Sequence, residues 1–144
     1  MTGKRIDVQA AAPGVHAAMA GVDAVASGPL DPALAELVRI RVSQINGCAM
    51  CLSLHTRAAL AAGEEHDRLR ALASWRASPL FTGPERAALE LAEAMTVIAA
   101  GGVPDAVVTA AREHFDERRL AHLVWTIAAI NAWNRVGIAA SAPA

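Results

Sequence analysis

Residues 36–55 read ELVRIRVSQINGCAMCLSLH and hold both cysteines of the chain, as Cys48-Ala49-Met50-Cys51, with Glu36 before them and His55 after them. An α-helix turns about 100° and rises about 1.5 Å per residue. A helix opening at Cys48 therefore puts Cys51 one turn on, with the two Cα atoms ~5 Å apart, inside the roughly 4.4–6.8 Å window of a disulfide. His55 stands at i+4 from Cys51 on the same face, so its ring can reach that sulfur. From Cys48 it is about 10 Å away along the axis, too far for direct contact. The spacing gives the two thiols different work: Cys51 has a base beside it, and Cys48 is the partner that closes the disulfide.

Asn46-Gly47, directly ahead of the cysteines, is a turn signal. A helix starting after it offers unpaired N–H groups and the positive end of its dipole to both sulfurs. These favour thiolate over thiol, as a neighbouring imidazolium does. On one unbroken helix Glu36 would lie about 18 Å from Cys48. A reversal at Asn46-Gly47 brings it instead level with His55, on an antiparallel partner helix. A carboxylate there orients the imidazole and stabilises its protonated form, making Glu36–His55–Cys51 a proton relay. The competing reading is a metal site with Cys48, Cys51, His55 and Glu36 as ligands. Closed structural zinc sites usually draw on two separate knuckles, whereas three of these residues crowd one helix face and no second cysteine pair exists.

At 144 residues the chain is read as one domain, 1–144, long enough for a core without staples. Hydrophobic residues reach 54%, much of it alanine, and aromatics only 3%, a composition that suits close-packed helices rather than sheets. A net charge of −1 without a basic cluster argues against nucleic acid as a partner. No uncharged apolar run reaches the ~18 residues of a membrane span. Asp7, His16 and Asp23 interrupt any signal-like segment, so a cytoplasmic protein is expected. In that reducing compartment paired cysteines are more often catalytic or metal-binding than structural.

In chain order, residues 1–13 read as a loose lead-in and 15–26 as a first helix, ended by Ser27-Gly28-Pro29. Asp31-Pro32 starts a helix that runs to about Ile45, with Arg41 on its apolar side as either a rim residue or a carboxylate's partner. The cysteine helix spans about 48–62 and ends at Gly63; further helices follow over about 65–75, 84–100, 104–115 and 117–140. Thr82-Gly83-Pro84-Glu85 has the form of a capping box. The last helix is apolar nearly all round, which predicts burial in a core or an interface. Within it Asn131, Asn134 and Arg135 share a face, which needs polar partners: Glu36, Arg41, the cysteine site or a neighbouring subunit. His16, His66, His114 and His122 have no evident partner, and Trp75, Trp125 and Trp133 read as packing residues.

The pattern Glu36-x11-Cys48-x2-Cys51-x3-His55 resembles the signature of the AhpD-like alkylhydroperoxidases, within the carboxymuconolactone decarboxylase family. So do SQINGCAMC, LHTRAAL, FTGPERAALELAEAMT and INAWNR, so that the resemblance covers about residues 30–140. It implies an all-α fold of about six to seven helices, assembling as a homo-oligomer, often a trimer or hexamer. It implies hydroperoxide reduction with no metal, flavin or other cofactor. Cys51 corresponds to the peroxide-reactive thiol, Cys48 to its disulfide partner, and Glu36 and His55 to the proton relay. The reductant in the best-known members is a dihydrolipoyl-bearing protein. Such members often carry a histidine just before the second cysteine; here Met50 stands there, which implies a simpler relay. Two other functions share these residues. A decarboxylase or isomerase of a small acid or lactone would use His55 and Glu36 and leave the thiols idle, although that branch typically lacks the cysteine pair. A redox-sensing module would use the disulfide to alter subunit packing without turnover.

Overall fold

The computed structural model describes residues 3–141. Its α-helices are α1 (Val8–Ala11), α2 (Pro13–Ala26), α3 (Pro32–Asn46), α4 (Ala49–Ala61), α5 (His66–Ala71), α6 (Gly83–Thr96), α7 (Asp105–Arg112) and α8 (Glu117–Ala140). Short 3-10 turns cover Leu72–Ala77 and Ile98–Ala100. Among the described residues no strand forms; a lone bridge pairs Lys4 with Ser141. None of the described helices is long and apolar enough to cross a membrane.

Eight α-helices stand among the described residues where about six to seven were expected, and the additional one, α1, gives order to residues 8–11 of the stretch read as a loose lead-in. Asp7 caps it by accepting from the Ala10 N–H at 3.0 Å. Ahead of it, the N–H groups of Arg5 and Ile6 donate to the carbonyl of Ala140, at 2.7 and 3.2 Å. The chain start is thereby fastened to the end of α8, a tertiary bond that leaves no mark on local sequence. Met1 and Thr2 of that lead-in lie outside the described residues.

The centre of the fold is α3, which packs against α4, α6 and α8. Asp31 caps it, accepting from the Leu34 N–H at 3.0 Å, and Pro32 occupies its first turn. Its apolar residues do not form one stripe. Leu34, Val38 and Val42, at i+4 steps, enter a core with Leu91 of α6, Ala111 of α7 and Leu123, Ile127 and Ile130 of α8. Leu37 and Ile40 enter a second core with Ala59 of α4, Leu72, Trp75, Phe81 and Leu89. Each fully buried aliphatic side chain here contributes roughly 1.5–3 kcal/mol relative to exposure. A helix buried on two sides must hold its register, which makes it a rigid base for the residues at its ends.

The capping box at Thr82 and Glu85 opens α6, and Asp116 opens α8 by accepting from the Arg119 N–H at 2.8 Å. Only one side of α8 is buried within the chain. Leu120, Leu123, Ile127, Ile130 and Asn134 face inward, whereas Val124, Val136 and Ile138 are partly open and Trp125 is 62% exposed. Burial in a core or an interface was expected; within this chain the core part of that burial comes mainly from α3, α2 and α6 and covers one face.

A polar hub fixes α6 against α3 and the first 3-10 turn. Glu93 accepts from Arg41 Nε at 2.9 Å, from Trp75 Nε1 at 2.8 Å and from Arg76 at 2.8 Å. Arg41 is thus a carboxylate's partner. Burial alone would raise the Glu93 carboxyl, but the hydrogen bonds from Trp75, Arg41 and Arg76 outweigh it and hold it below the ordinary range. A depressed carboxyl stabilises the fold above its unfolded value near 4.5, and that stability is lost as pH falls through the folded value. Glu93→Gln is therefore expected to lower stability by about 1–3 kcal/mol at neutral pH. In urea melts followed by circular dichroism, its deficit against the natural chain should shrink as pH drops below 4.5. A deficit that stays constant into acid would show that the charge of Glu93 is not what stabilises the hub.

Candidate active site

The reversal between α3 and α4 builds the site. Gly47 sits at φ 71°, the left-handed region, and ends α3. The Gly47 and Cys48 N–H groups donate back to Gln44 and Ser43 carbonyls at 3.3 and 3.1 Å, a Schellman-type closure. A side chain at position 47 would be strained there. Cys48 follows as the N-cap of α4, with no side-chain cap bond, and Cys51 stands in the first turn. Their sulfurs are joined, with Cα atoms 5.3 Å apart, close to the separation expected from helix geometry.

The antiparallel pairing carries Glu36 to His55. Glu36 Oε2 and His55 Nδ1 are 2.8 Å apart, and Arg39 donates to the other carboxylate oxygen, also at 2.8 Å. All three side chains are largely buried, at 14% exposure for Glu36 and His55 and 9% for Arg39. Arg39 was not among the residues singled out from sequence. It is one turn from Glu36 on the same helix, and an i, i+3 Glu–Arg pair reads as a surface bridge until burial is known. Its Nε is buried without a hydrogen-bond partner among the described residues. Among the described residues no group of three His, Cys, Asp or Glu is arranged to hold a metal ion.

Cys48, Cys51 and His55 lie on the wall of one cavity of about 950 Å³. Its lining is mainly apolar, with Met50 and Leu54 from α4, Trp133, Val136, Gly137 and Ile138 from α8, and Ile6 and Val8 from the chain start. His16 and Asp23 of α2 also line it. His16 packs edge-on to Trp133, ring centroids 5.3 Å apart. Glu36 lies behind His55 rather than on the wall.

The polar face of α8 meets α3 next to the reversal. Asn46 Nδ2 donates to Oδ1 of both Asn131 and Asn134 at 3.0 Å. Asn134 donates to Ser43 Oγ at 3.0 Å, and Asn131 donates to Thr96 Oγ1 at 3.1 Å. Arg135 donates to Asn131 Oδ1 at 2.7 Å. The side-chain partners on other helices are therefore Ser43 and Asn46 of α3 and Thr96 of α6, and neither Glu36 nor Arg41 takes part. Asn134 and Ser43 are fully buried, and the network locks α8 to the residues that precede Cys48.

A helical reversal that presents a cysteine pair at a helix start, beside a buried carboxylate–imidazole pair, defines an AhpD-like protein. The chain belongs to the carboxymuconolactone decarboxylase family, which it matches over residues 13–94. It is 45% identical to uncharacterized protein YdfG of Bacillus subtilis over 104 residues, 72% of this chain and 71% of that one. It is 38% identical to uncharacterized protein YnjA of Escherichia coli over 116 residues, 81% of this chain and 63% of that one. Among solved structures it superposes with TM-score 0.92 and 32% identity on a protein of unknown function from Agrobacterium tumefaciens, put forward as the antioxidant defence protein AhpD. That match covers 96% of this chain and 95% of the other.

Proposed function

We propose that the chain is a cysteine-dependent hydroperoxide reductase, a single domain that cycles between dithiol and disulfide. The observation that carries the reading is the sulfur pair at the start of α4, on the wall of a cavity shared with a histidine whose other side is held by Glu36. Nδ1 of His55 is engaged by Glu36, so Nε2 is the nitrogen that draws the proton from the Cys51 thiol. The thiolate attacks the peroxide: an S–O bond forms, the O–O bond breaks, sulfur is oxidised to sulfenic acid and the peroxide is reduced to alkoxide. The proton on His55 passes to the alkoxide, which leaves as the alcohol. Cys48 then attacks the sulfenic sulfur, the disulfide forms and water departs. An external dithiol, such as a dihydrolipoyl-bearing protein, restores the pair by exchange and is itself oxidised.

We read the protein as cytoplasmic and as a homo-oligomer, a trimer or hexamer as the family resemblance implies; the exposed apolar side chains on α2 and α8, among them Val15 and Trp125, are what supports assembly. The test is one equivalent of tert-butyl hydroperoxide added to the reduced protein, followed by mass spectrometry and thiol titration. The expected result is loss of both thiols with stoichiometric alcohol, and catalytic peroxide consumption once a dithiol is supplied. Turnover of a small acid or lactone that survives alkylation of both cysteines would replace this reading with a decarboxylase or isomerase. An oligomer that changes size on oxidation without consuming peroxide would replace it with a redox sensor.

A further inference from the structure

Gly137 lies in the last turns of α8, where the backbone is helical and φ is negative. A glycine at a helical position is destabilising relative to alanine, so its presence needs a reason. The backbone supplies none. Packing supplies none either: a Cβ at position 137 would meet Cys48 Sγ at 3.6 Å, Met50 Cε at 3.8 Å and Cys51 Sγ at 4.0 Å, all ordinary contact distances. Alanine would fit without moving a neighbour. Those three atoms are the nearest to that Cβ, and all belong to the Cys48–Cys51 segment. Gly137 also lines the cavity together with both cysteines. What the missing side chain leaves is a methyl-sized space on the sulfurs, open to the cavity.

We propose that Gly137 determines which partners reach the dithiol: the space over the sulfurs is the approach taken by a bulky substituent of the reacting molecule. This deepens the reading of the site as a reactive dithiol. A small reactant reaches the sulfur whether or not the space is filled. A branched or cyclic one needs the room that Gly137 leaves. The segment Gly3–Gln9 and the side chain of Met50 bound the same cavity, and Met50 is 65% exposed, so its end can swing aside and the helix-borne wall at Gly137 is the fixed limit.

The experiment uses two maleimides with the same reactive group, N-methylmaleimide and N-cyclohexylmaleimide, on the fully reduced chain and its Gly137→Ala and Gly137→Val variants. Rates are read by mass spectrometry. A lost methylene of space in a fitted pocket is worth on the order of tenfold or more in discrimination. The cyclohexyl reagent should therefore slow by about that factor in Gly137→Ala and further in Gly137→Val, while the methyl reagent slows far less. The thermal midpoint of Gly137→Ala should equal or exceed that of the natural chain. Equal slowing of both reagents, no slowing of either, or no reaction of either with the natural chain overturns the proposal. So does a lower midpoint for Gly137→Ala, which would make the glycine a packing requirement. Labelling needs no peroxide turnover. A size-dependent gap in a protein that consumes no peroxide leaves this inference standing and removes the peroxidase; peroxide consumption without the gap does the reverse.

Discussion

Cys51→Ser is expected to lower hydroperoxide turnover by on the order of a thousandfold or more, as removal of a nucleophile does. A serine hydroxyl is protonated at neutral pH and is far less nucleophilic than a thiolate. Cys48→Ser is expected to behave differently. Cys51 keeps its place in the first turn of α4, with the N–H groups of the helix start around it, so one equivalent of peroxide still oxidises it. No neighbouring thiol then condenses with the product. Steady-state consumption with a dithiol should fall steeply, and mass spectrometry should find sulfenic acid, advancing to sulfinic acid with excess peroxide. The asymmetry follows from His55, which is one turn beyond Cys51 and about 10 Å along the axis from Cys48. Undiminished turnover in Cys48→Ser would remove the two-cysteine cycle. A sulfenic acid that appears on Cys48 in Cys51→Ser, and not on Cys51 in Cys48→Ser, would exchange the roles.

Glu36→Gln is expected to damage both stability and chemistry, and a second substitution separates the two. The Glu36 carboxylate gives one oxygen to Arg39 and the other to His55, at 2.8 Å each. Neutralising it leaves a buried guanidinium without its counter-charge, and breaking a buried pair from one side costs about 3–5 kcal/mol. His55 also loses the group that orients its ring, so proton transfer at Cys51 should slow by roughly a hundredfold or more. Replacing both members, Glu36→Gln with Arg39→Met, removes the stranded charge and should recover most of the stability. It should not recover turnover, because His55 still lacks its carboxylate. Urea melts and peroxide kinetics on the natural chain, Glu36→Gln, Arg39→Met and the double variant give the coupling energy. A double variant as active as the natural chain would end the role of Glu36 in the relay. A Glu36→Gln variant that loses neither stability nor activity would end the argument for the buried pair as a whole.

The parts of the fold that could be read along the chain are those set by neighbours in sequence. Asp31-Pro32, Thr82–Glu85 and Asp116 mark helix starts because each cap is closed within four residues. The Cys48–Cys51 separation follows from one helical turn. Even the meeting of Glu36 with His55 was accessible, since a tight reversal at Gly47 leaves an antiparallel pair few registers to choose from. Two features were out of reach for a common reason. The order within residues 3–13, read as part of a loose lead-in, and the choice of which face of α8 is covered within the chain both depend on elements far away in the sequence.

Sequence by itself thus determined the order of the helices from α2 to α8 and the turn between α3 and α4, which rest on short-range geometry and residue type, and it carried the motifs through which the family resemblance was legible. Tertiary structure alone decided that Arg39 is a buried counter-charge, that Asn46 is the residue between Asn131 and Asn134, and that Glu93 ties three elements together. It alone enclosed the cavity, whose walls come from the chain start, α2, α4 and α8. The physical reason is that a side chain's role turns on its burial and its partners. Asn46 and Asn134 are 88 residues apart, and no periodicity along a chain records which distant surfaces will meet.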